Sequence, residues 1–293
     1  MTDIIASLAT LAGRYDALFC DLWGCLHNGH APYPAAVAAL QAFRRTGGRV
    51  VLLTNAPRPA RFVIATLDRM GVPRDAWDLV VSSGDAAQYA MLHGAVGHRV
   101  WHLGPAKDDG FFTDYPPEFA GDHIEKVSLE EAEGIVCTGP FDELAEVPED
   151  YRARLLYARE KGLKFLCANP DLVVDYGDRR IYCAGALAAL YTDMGGESLY
   201  FGKPHPPIYD LARRELAALT GREPEASGIL AIGDGIGTDI LGAAGEGIDA
   251  LFVTGGLAAE EFGADVENPD PACLHDWLAA RQAAPTFSIG RLR

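Results

Sequence analysis

Short runs of consecutive apolar residues recur along this chain, and most are followed by a segment whose apolar positions have helical spacing. Ala17-Leu-Phe-Cys20, Arg49-Val-Val-Leu-Leu-Thr54, Leu79-Val-Val-Ser82 and Gly228-Ile-Leu-Ala-Ile-Gly233 are four such runs. An unbroken apolar run suits a strand covered on both faces, as in a parallel sheet. The intervening patterns predict helices over Ala35–Arg45, Ala60–Met70, Ile208–Thr220 and Ile240–Glu246, several opened by proline and closed by glycine. A strand over Ala250–Thr254 completes the series. Strand–helix alternation of this kind builds an α/β fold, a doubly wound parallel sheet with right-handed crossovers. Ile4, Ile5, Leu8 and Leu11 are spaced as a short leading helix over Ile4–Tyr15. At the other end the pattern predicts a short helix, His275–Gln282, and then an apolar or disordered tail.

From Gly84 to Leu199 the pattern is more mixed. It predicts helices over Asp85–His93, Tyr151–Lys161 and Gly185–Met194, and strands over Arg99–Leu103, Gly134–Thr138 and Lys164–Cys167. Asp108–His123 reads as a loop-rich acidic and aromatic stretch. This block is the size of a small domain. The expected organisation is therefore a core formed by residues 1–83 and 200–293, with a smaller α/β domain, residues 84–199, inserted between its halves.

Composition narrows the function classes. The 293 residues are 49% hydrophobic and 23% charged, which fits a soluble globular protein with ample core. A net charge of −16 makes nucleic acid and acidic lipid unfavourable general partners. An anionic substrate then needs local cations or a metal ion. The six cysteines include no C-x-x-C pair, so they read as buried reduced thiols of a cytoplasmic protein. The acidic N-terminal residues are not those of a signal peptide, and no uncharged apolar run approaches the ~20 residues of a membrane span.

The chemistry collects where predicted strands end. Asp21 ends the first long strand, Thr54-Asn55 the second, and Asp234, with Asp239 five residues on, follows the Gly228–Gly233 strand; Lys203 sits on a connecting loop. In an open parallel sheet such ends share one edge, where ligands bind. Capping of a turn is the structural alternative for Asp21. Carboxylates gathered without matching cations repel unless a cation lies between them, and oxygen-only donors favour Mg²⁺. Lys203 can neutralise a bound phosphoryl group, Thr54 can donate a hydroxyl and Asn55 an amide hydrogen. The set reads as a phosphoryl-transfer site.

Four motifs stand in order: D-x-x-G-x-L at Asp21, hydrophobic-Thr-Asn at Thr54-Asn55, G-K-P-H-P at Gly202–Pro206 and G-D-G-x-G-T-D at Gly233–Asp239. Together they resemble the haloacid dehalogenase superfamily. The insertion carrying Asn169-Pro170-Asp171 is similar to that of its class IIA (NagD-like, C2-capped) phosphatases. The resemblance implies a Rossmann-like core and a cap that opens and closes over it. It further implies a Mg²⁺-dependent phosphatase acting on a small phosphorylated metabolite such as a sugar phosphate, nucleotide or aryl phosphate. Asp21 is then the nucleophile that forms an aspartyl-phosphate. The Asp21 carboxylate, the main-chain carbonyl of Trp23 and Asp234 hold Mg²⁺, with Asp239 supporting it directly or through water. Thr54, Asn55 and Lys203 bind the transferring group, and Asn169 and Asp171 help select the leaving group. Relatives of this class often pair through their caps, so a homodimer is a further expectation.

One position departs from the pattern. Phosphatases of the superfamily carry a second Asp two residues after the nucleophile as general acid and base, and here that place holds Trp23. An indole N–H donates a hydrogen bond but shuttles no proton at neutral pH. His27 or His205 is the candidate replacement. The departure opens a second reading, a phosphometabolite-binding or regulatory protein with weak turnover. Dehalogenation at carbon is a third, weaker because it leaves Asp234 and Asp239 without a role. Gly233-Asp-Gly-Ile-Gly-Thr lacks the third glycine of a dinucleotide fingerprint, and no G-x-S-x-G is present. His98 and His102 share a strand face without an evident third ligand and read as solvated histidines. Tyr89, Trp101, Phe111, Phe112 and Tyr115 are either pocket-lining or core aromatics.

Overall fold

A computed structural model describes every residue except Met1, Asp114, Pro117, Glu118, Ala120, Asp122, Gly177 and Asp178, and the side chains of Asp175 and Tyr176. The expected loop-rich stretch Asp108–His123 therefore lies partly outside the described residues. The strands are β1 (Asp3–Ile4), β2 (Ala17–Cys20), β3 (Arg49–Thr54), β4 (Leu79–Ser82), β5 (Arg99–Leu103), β6 (Glu125–Lys126) and β7 (Gly134–Cys137). They continue as β8 (Lys164–Cys167), β9 (Val173–Tyr176), β10 (Arg179–Tyr182), β11 (Glu197–Tyr200), β12 (Ile229–Gly233), β13 (Asp249–Val253) and β14 (Phe287–Ile289). The α-helices are α1 (Pro34–Arg45), α2 (Ala60–Met70), α3 (Ser83–Leu92), α4 (Arg152–Glu160), α5 (Ala184–Asp193), α6 (Pro206–Thr220), α7 (Leu241–Gly245) and α8 (Pro271–Ala280). None of the described helices is long and apolar enough to cross a membrane.

The chain divides into two compact units. The first comprises Met1–Thr54, Ile64–Val81 and Tyr209–Arg293; the second comprises Asn55–Val63 and Ser82–Ile208. Relative to the expected insertion at 84–199, the second unit also takes the segment after Thr54 and runs on through the Lys203 loop.

The first unit is built on a seven-stranded sheet in the order β1-β14-β13-β12-β2-β3-β4. All four residues of β2 and all five of β12 are buried, which is why both read as continuous apolar runs. β2 pairs in parallel with β3 on one side and with β12 on the other. The chain order reverses between β2 and β12, so their carboxyl ends border the topological switch point where open α/β sheets bind ligands.

At the ends of the chain one expectation is corrected and one alternative is settled. Ile4–Tyr15 is not one helix: Asp3 and Ile4 form an edge strand against β14, and only Leu8–Leu11 makes a 3-10 turn. Leu8 and Leu11 are buried whereas Ile4 is exposed, so the spacing reflects a turn anchored by two leucines. At the other end, where an apolar or a disordered tail was open, the apolar alternative holds. Phe287–Ile289 is a buried strand between β1 and β13, and the Leu8 N–H donates to the Arg293 carbonyl at 2.7 Å.

The second unit has a five-stranded parallel sheet, β11-β8-β7-β5-β6, and a separate antiparallel hairpin, β9–β10. Strand alternation sends Ile135, Cys137, Phe165 and Cys167 into one core with α4 and α5. Val136 and Leu166 go into another, with Ala87 and Met91 of α3 and with Phe111 and Phe112. None of the described side chains of the hairpin is buried, so its strands present no apolar run to read.

Candidate active site

The first unit gathers its chemistry at the ends of β2 and β12. Asp21 follows β2, and its N–H donates to the Ile232 carbonyl of β12 at 2.8 Å, tying the two strand ends together. Asp234 follows Gly233 at the end of β12. The turn after Asp21 folds back on itself. The N–H groups of Leu26 and His27 both donate to the Leu22 carbonyl, at 2.8 and 3.0 Å, and the Gly24 N–H donates to the His27 carbonyl at 3.0 Å. The result is that ligand atoms of Asp21, Asp234 and Cys25 all lie within 4.8 Å of one another.

Backbone helps to hold Asp234. Its Oδ2 accepts from the Leu257 N–H at 2.9 Å. A Cβ on Gly24 or on Gly256 would come within 2.0 Å of that same oxygen. Gly24 also has a φ of +71°, which an L side chain rarely adopts. The carboxylate is thus clasped between two residues that can only be glycine. Asp239, on a π-helical turn over Ile236–Ile240, is buried outside the trio, and its Oδ2 accepts from the Gly235 N–H at 3.0 Å. Thr54 is buried at the end of β3, the neighbour of β2.

Cys25 was classed from sequence only as a buried thiol. Burial, then the carboxylates of Asp234 and Asp21, push its pKa well above the ordinary thiol range. What could have marked it is its place inside the Asp21–Gly29 turn, four residues after the nucleophile candidate. The other signal in this turn is His27, nearly fully buried and edge-on to the Trp23 ring at 5.3 Å. Its Nδ1 accepts from the Gly29 N–H at 3.0 Å, which places the ring proton on Nε2, and burial lowers its pKa to about 4.

The second unit holds the remaining predicted residues. Asn55 Oδ1 accepts from the Lys203 N–H at 2.7 Å, while its Nδ2 donates to the Lys203 carbonyl at 3.0 Å and to Asp171 Oδ1 at 2.8 Å. Both amide hydrogens of Asn55 are therefore engaged by protein. The side chain braces the main chain of Lys203, where the sequence suggested a direct contact to phosphoryl oxygens. Lys203 is itself buried. Asn169 is buried too, and its Oδ1 accepts from the Asp171 N–H at 2.9 Å, closing the Asn-Pro-Asp turn. His205 stacks on Tyr200 at 4.8 Å, and burial lowers its pKa.

Other expectations fall differently. His102 is not solvated: it sits 3.1 Å from the Thr138 hydroxyl, and burial and then Lys126 lower its pKa to about 4. Asp21, Cys25 and Asp234 are the one group of three metal-capable ligands among the described residues, and it includes neither His98 nor His102. Phe111 and Phe112 are core, whereas Trp101 lines a cavity of about 450 Å³ with His102, Lys126 and Phe141. Asp108, unremarked in the sequence, is buried 3.8 Å from Arg58, and desolvation raises its pKa to about 6.

Comparison with known proteins adds an independent line. Residues 18–115 match the model of a haloacid dehalogenase-like hydrolase family, and residues 200–280 match a HAD-hydrolase-like model. A solved hydrolase of the haloacid dehalogenase-like family from Brucella suis 1330 is 41% identical, covers 98% of this chain and 99% of its own, and superposes with a TM-score of 0.84. The ribonucleotide monophosphatase NagD of Escherichia coli K12 is 25% identical over 257 residues, 83% of this chain and 88% of that protein. A D-glycerol 3-phosphate phosphatase of Mycobacterium tuberculosis is 27% identical over 256 residues, 85% of this chain; the chain spans only 66% of that relative's length. A glycerol phosphate phosphatase from the same organism, solved in complex with magnesium, has a TM-score of 0.64 at 26% identity, over 89% of this chain and 74% of that one.

Proposed function

We propose that this chain, which belongs to the haloacid dehalogenase-like hydrolase family and to its NagD-like class, hydrolyses the phosphoryl ester or anhydride of a small phosphorylated metabolite, with Asp21 as nucleophile. The observation that carries this reading is the meeting of Asp21 and Asp234 at the switch point of the sheet, their ligand atoms within 4.8 Å together with that of Cys25. Two carboxylate oxygens at that spacing fit a hard divalent cation, so the donor set suits Mg²⁺. The main-chain carbonyl of Trp23 is a further oxygen donor, and Asp239 supports the loop that carries Asp234. Bound there, Mg²⁺ supplies charge neutralisation for the approach of an anionic phosphoryl group.

The chain's own residues then do the following. A carboxylate oxygen of Asp21 forms a bond to phosphorus as the bond to the leaving-group oxygen breaks, giving an aspartyl-phosphate. Water hydrolyses that acyl phosphate and regenerates Asp21. Lys203 offsets charge on the phosphoryl oxygens and Thr54 donates its hydroxyl to them. Asn55 fixes the main chain of Lys203.

No carboxylate stands at the general-acid position, because it is Trp23. His27 does not fill the gap, since with a pKa of about 4 it is neutral at pH 7. Burial lowers the pKa of His205 as well. General acid–base help is typically worth ~10²–10⁴-fold. The enzyme is therefore expected to favour leaving groups that depart without a proton, such as aryl oxides and carboxylates. A rate series over phosphate esters of graded leaving-group pKa tests this: a steep fall with rising pKa is expected, and a flat profile contradicts it.

The Trp23 substitution also favours a second reading, a phosphometabolite-binding protein with weak turnover. Tight phosphate-ester binding without hydrolysis supports that reading; hydrolysis lost in Asp21→Asn supports the first.

A further inference from the structure

The trio at the switch point is a mixed donor set, two carboxylates and one thiol. Mg²⁺ takes oxygen donors, so the sulfur is surplus to the chemistry proposed above. A sulfur beside two carboxylates suits softer cations, because thiolate ligands select Zn²⁺ and similar metals over Mg²⁺. Three protein ligands with an open fourth position is also the ligand count of catalytic zinc centres. The sulfur is held in place by the turn that carries it, closed by the hydrogen bonds to the Leu22 and His27 carbonyls, and Cys25 is only 1% exposed. Cys137, Cys167 and Cys183 are equally buried, yet none of them joins such a group among the described residues.

We propose that Cys25 makes this centre a tight site for thiophilic divalent cations, chemically Zn²⁺ or Cd²⁺, which bind through Asp21, Cys25 and Asp234 and displace Mg²⁺. The proposal rests on the reading that Asp21 and Asp234 hold a divalent cation. When such a cation enters, the S–H bond of Cys25 breaks, its proton passes to buffer, and a sulfur lone pair forms the metal–sulfur bond; no electron is transferred.

The test uses the full-length protein, stripped of metal by a chelator and titrated with Cd²⁺. Thiolate-to-metal charge-transfer absorption in the ultraviolet and cadmium NMR are the readouts. The wild type is expected to bind one Cd²⁺ with the absorption band and an NMR shift that reports sulfur coordination. Cys25→Ser and Cys25→Ala should lose the band and weaken Cd²⁺ and Zn²⁺ binding about ten- to a hundredfold, at least what loss of an outer-shell partner costs. Their Mg²⁺ affinity, measured by calorimetry, should change far less, which also shows that they fold. Cys273→Ser, at the exposed cysteine, should keep the band. A band that survives in Cys25→Ser overturns the proposal. So does an all-oxygen cadmium shift in the wild type, which needs no variant. If the wild type binds Mg²⁺ but coordinates Cd²⁺ through oxygen alone, only this proposal fails; if it binds neither cation, the reading of the site fails with it.

Discussion

The turn after Asp21 and the knot around Lys203 solve the same problem, the fixing of a charged side chain, by opposite means. Around Asp234 the main chain supplies the Leu257 N–H donor and two glycines whose missing side chains leave the room. Lys203 is seated by a side chain, the Asn55 amide, which satisfies its N–H and its carbonyl at once and also holds Asp171. A backbone seat is broken by adding atoms and a side-chain seat by removing them. The two regions should therefore fail under different substitutions, and that difference can be measured.

The largest effect is expected at the side-chain seat. Asn55→Ala removes three hydrogen bonds, each worth about 0.5–1.5 kcal/mol net, and strands buried partners, so a loss of about 3 kcal/mol in denaturant unfolding is expected. If Asn55 acts through Lys203, the variant should lower kcat as well as raise KM. A change in KM alone would return Asn55 to direct phosphate contact. Asn55→Asp, with no amide hydrogens and a charge beside Asp171, should not rescue it.

At the backbone seat the expected effect is smaller in stability but sharper in metal binding. Gly256→Ala drives a methyl group to within 2.0 Å of Asp234 Oδ2. Overpacking of this kind costs about 1–3 kcal/mol. Mg²⁺ affinity, read by calorimetry, should fall by about tenfold or more, as displaced ligands generally do. Unchanged metal affinity would show that the seat has slack and would weaken the contrast.

The smallest effect has the opposite sign. Asp108 lies in the second unit with its folded-state pKa raised from 3.8 to about 6 by desolvation. The folded state then holds a proton that the unfolded state has released, so stability falls as pH rises from about 4 through 6 and the penalty is complete above that. Each pKa unit converts to ~1.4 kcal/mol, and Asn at this site forfeits the attraction to Arg58, so Asp108→Asn is expected to stabilise the protein at pH 7 by about 1–2 kcal/mol. Its unfolding free energy should be flatter across that pH window. A variant less stable than wild type at pH 7 would mean that the Arg58 pair outweighs the burial cost.

How much of this was legible in the sequence follows the same division. The strands that end in Asp21 and Asp234 were readable because both faces are covered, which leaves uninterrupted apolar runs. Those runs also fixed which side chains stand at the strand ends. The terminal strands were not readable: Asp3–Ile4 and Phe287–Ile289 pair with each other across the whole length of the chain, and no local period encodes that. The same holds within the site. Asp21 and Asp234 announce themselves by motif, whereas Cys25 joins them only because a turn closed by Leu22 and His27 carbonyls swings it back. Asn55 stands out by its motif, but nothing in the sequence says that its amide also engages a main chain 148 residues away.

The central claim is that Asp21 receives the phosphoryl group at a divalent-cation centre shared with Asp234. Hydrolysis of an aryl phosphate such as p-nitrophenyl phosphate, followed with and without Mg²⁺ in the wild type and in Asp21→Asn, tests it most directly. Turnover is expected to require the cation and to fall by about a thousandfold or more in the variant. Turnover that persists without Mg²⁺, or in Asp21→Asn, would contradict it.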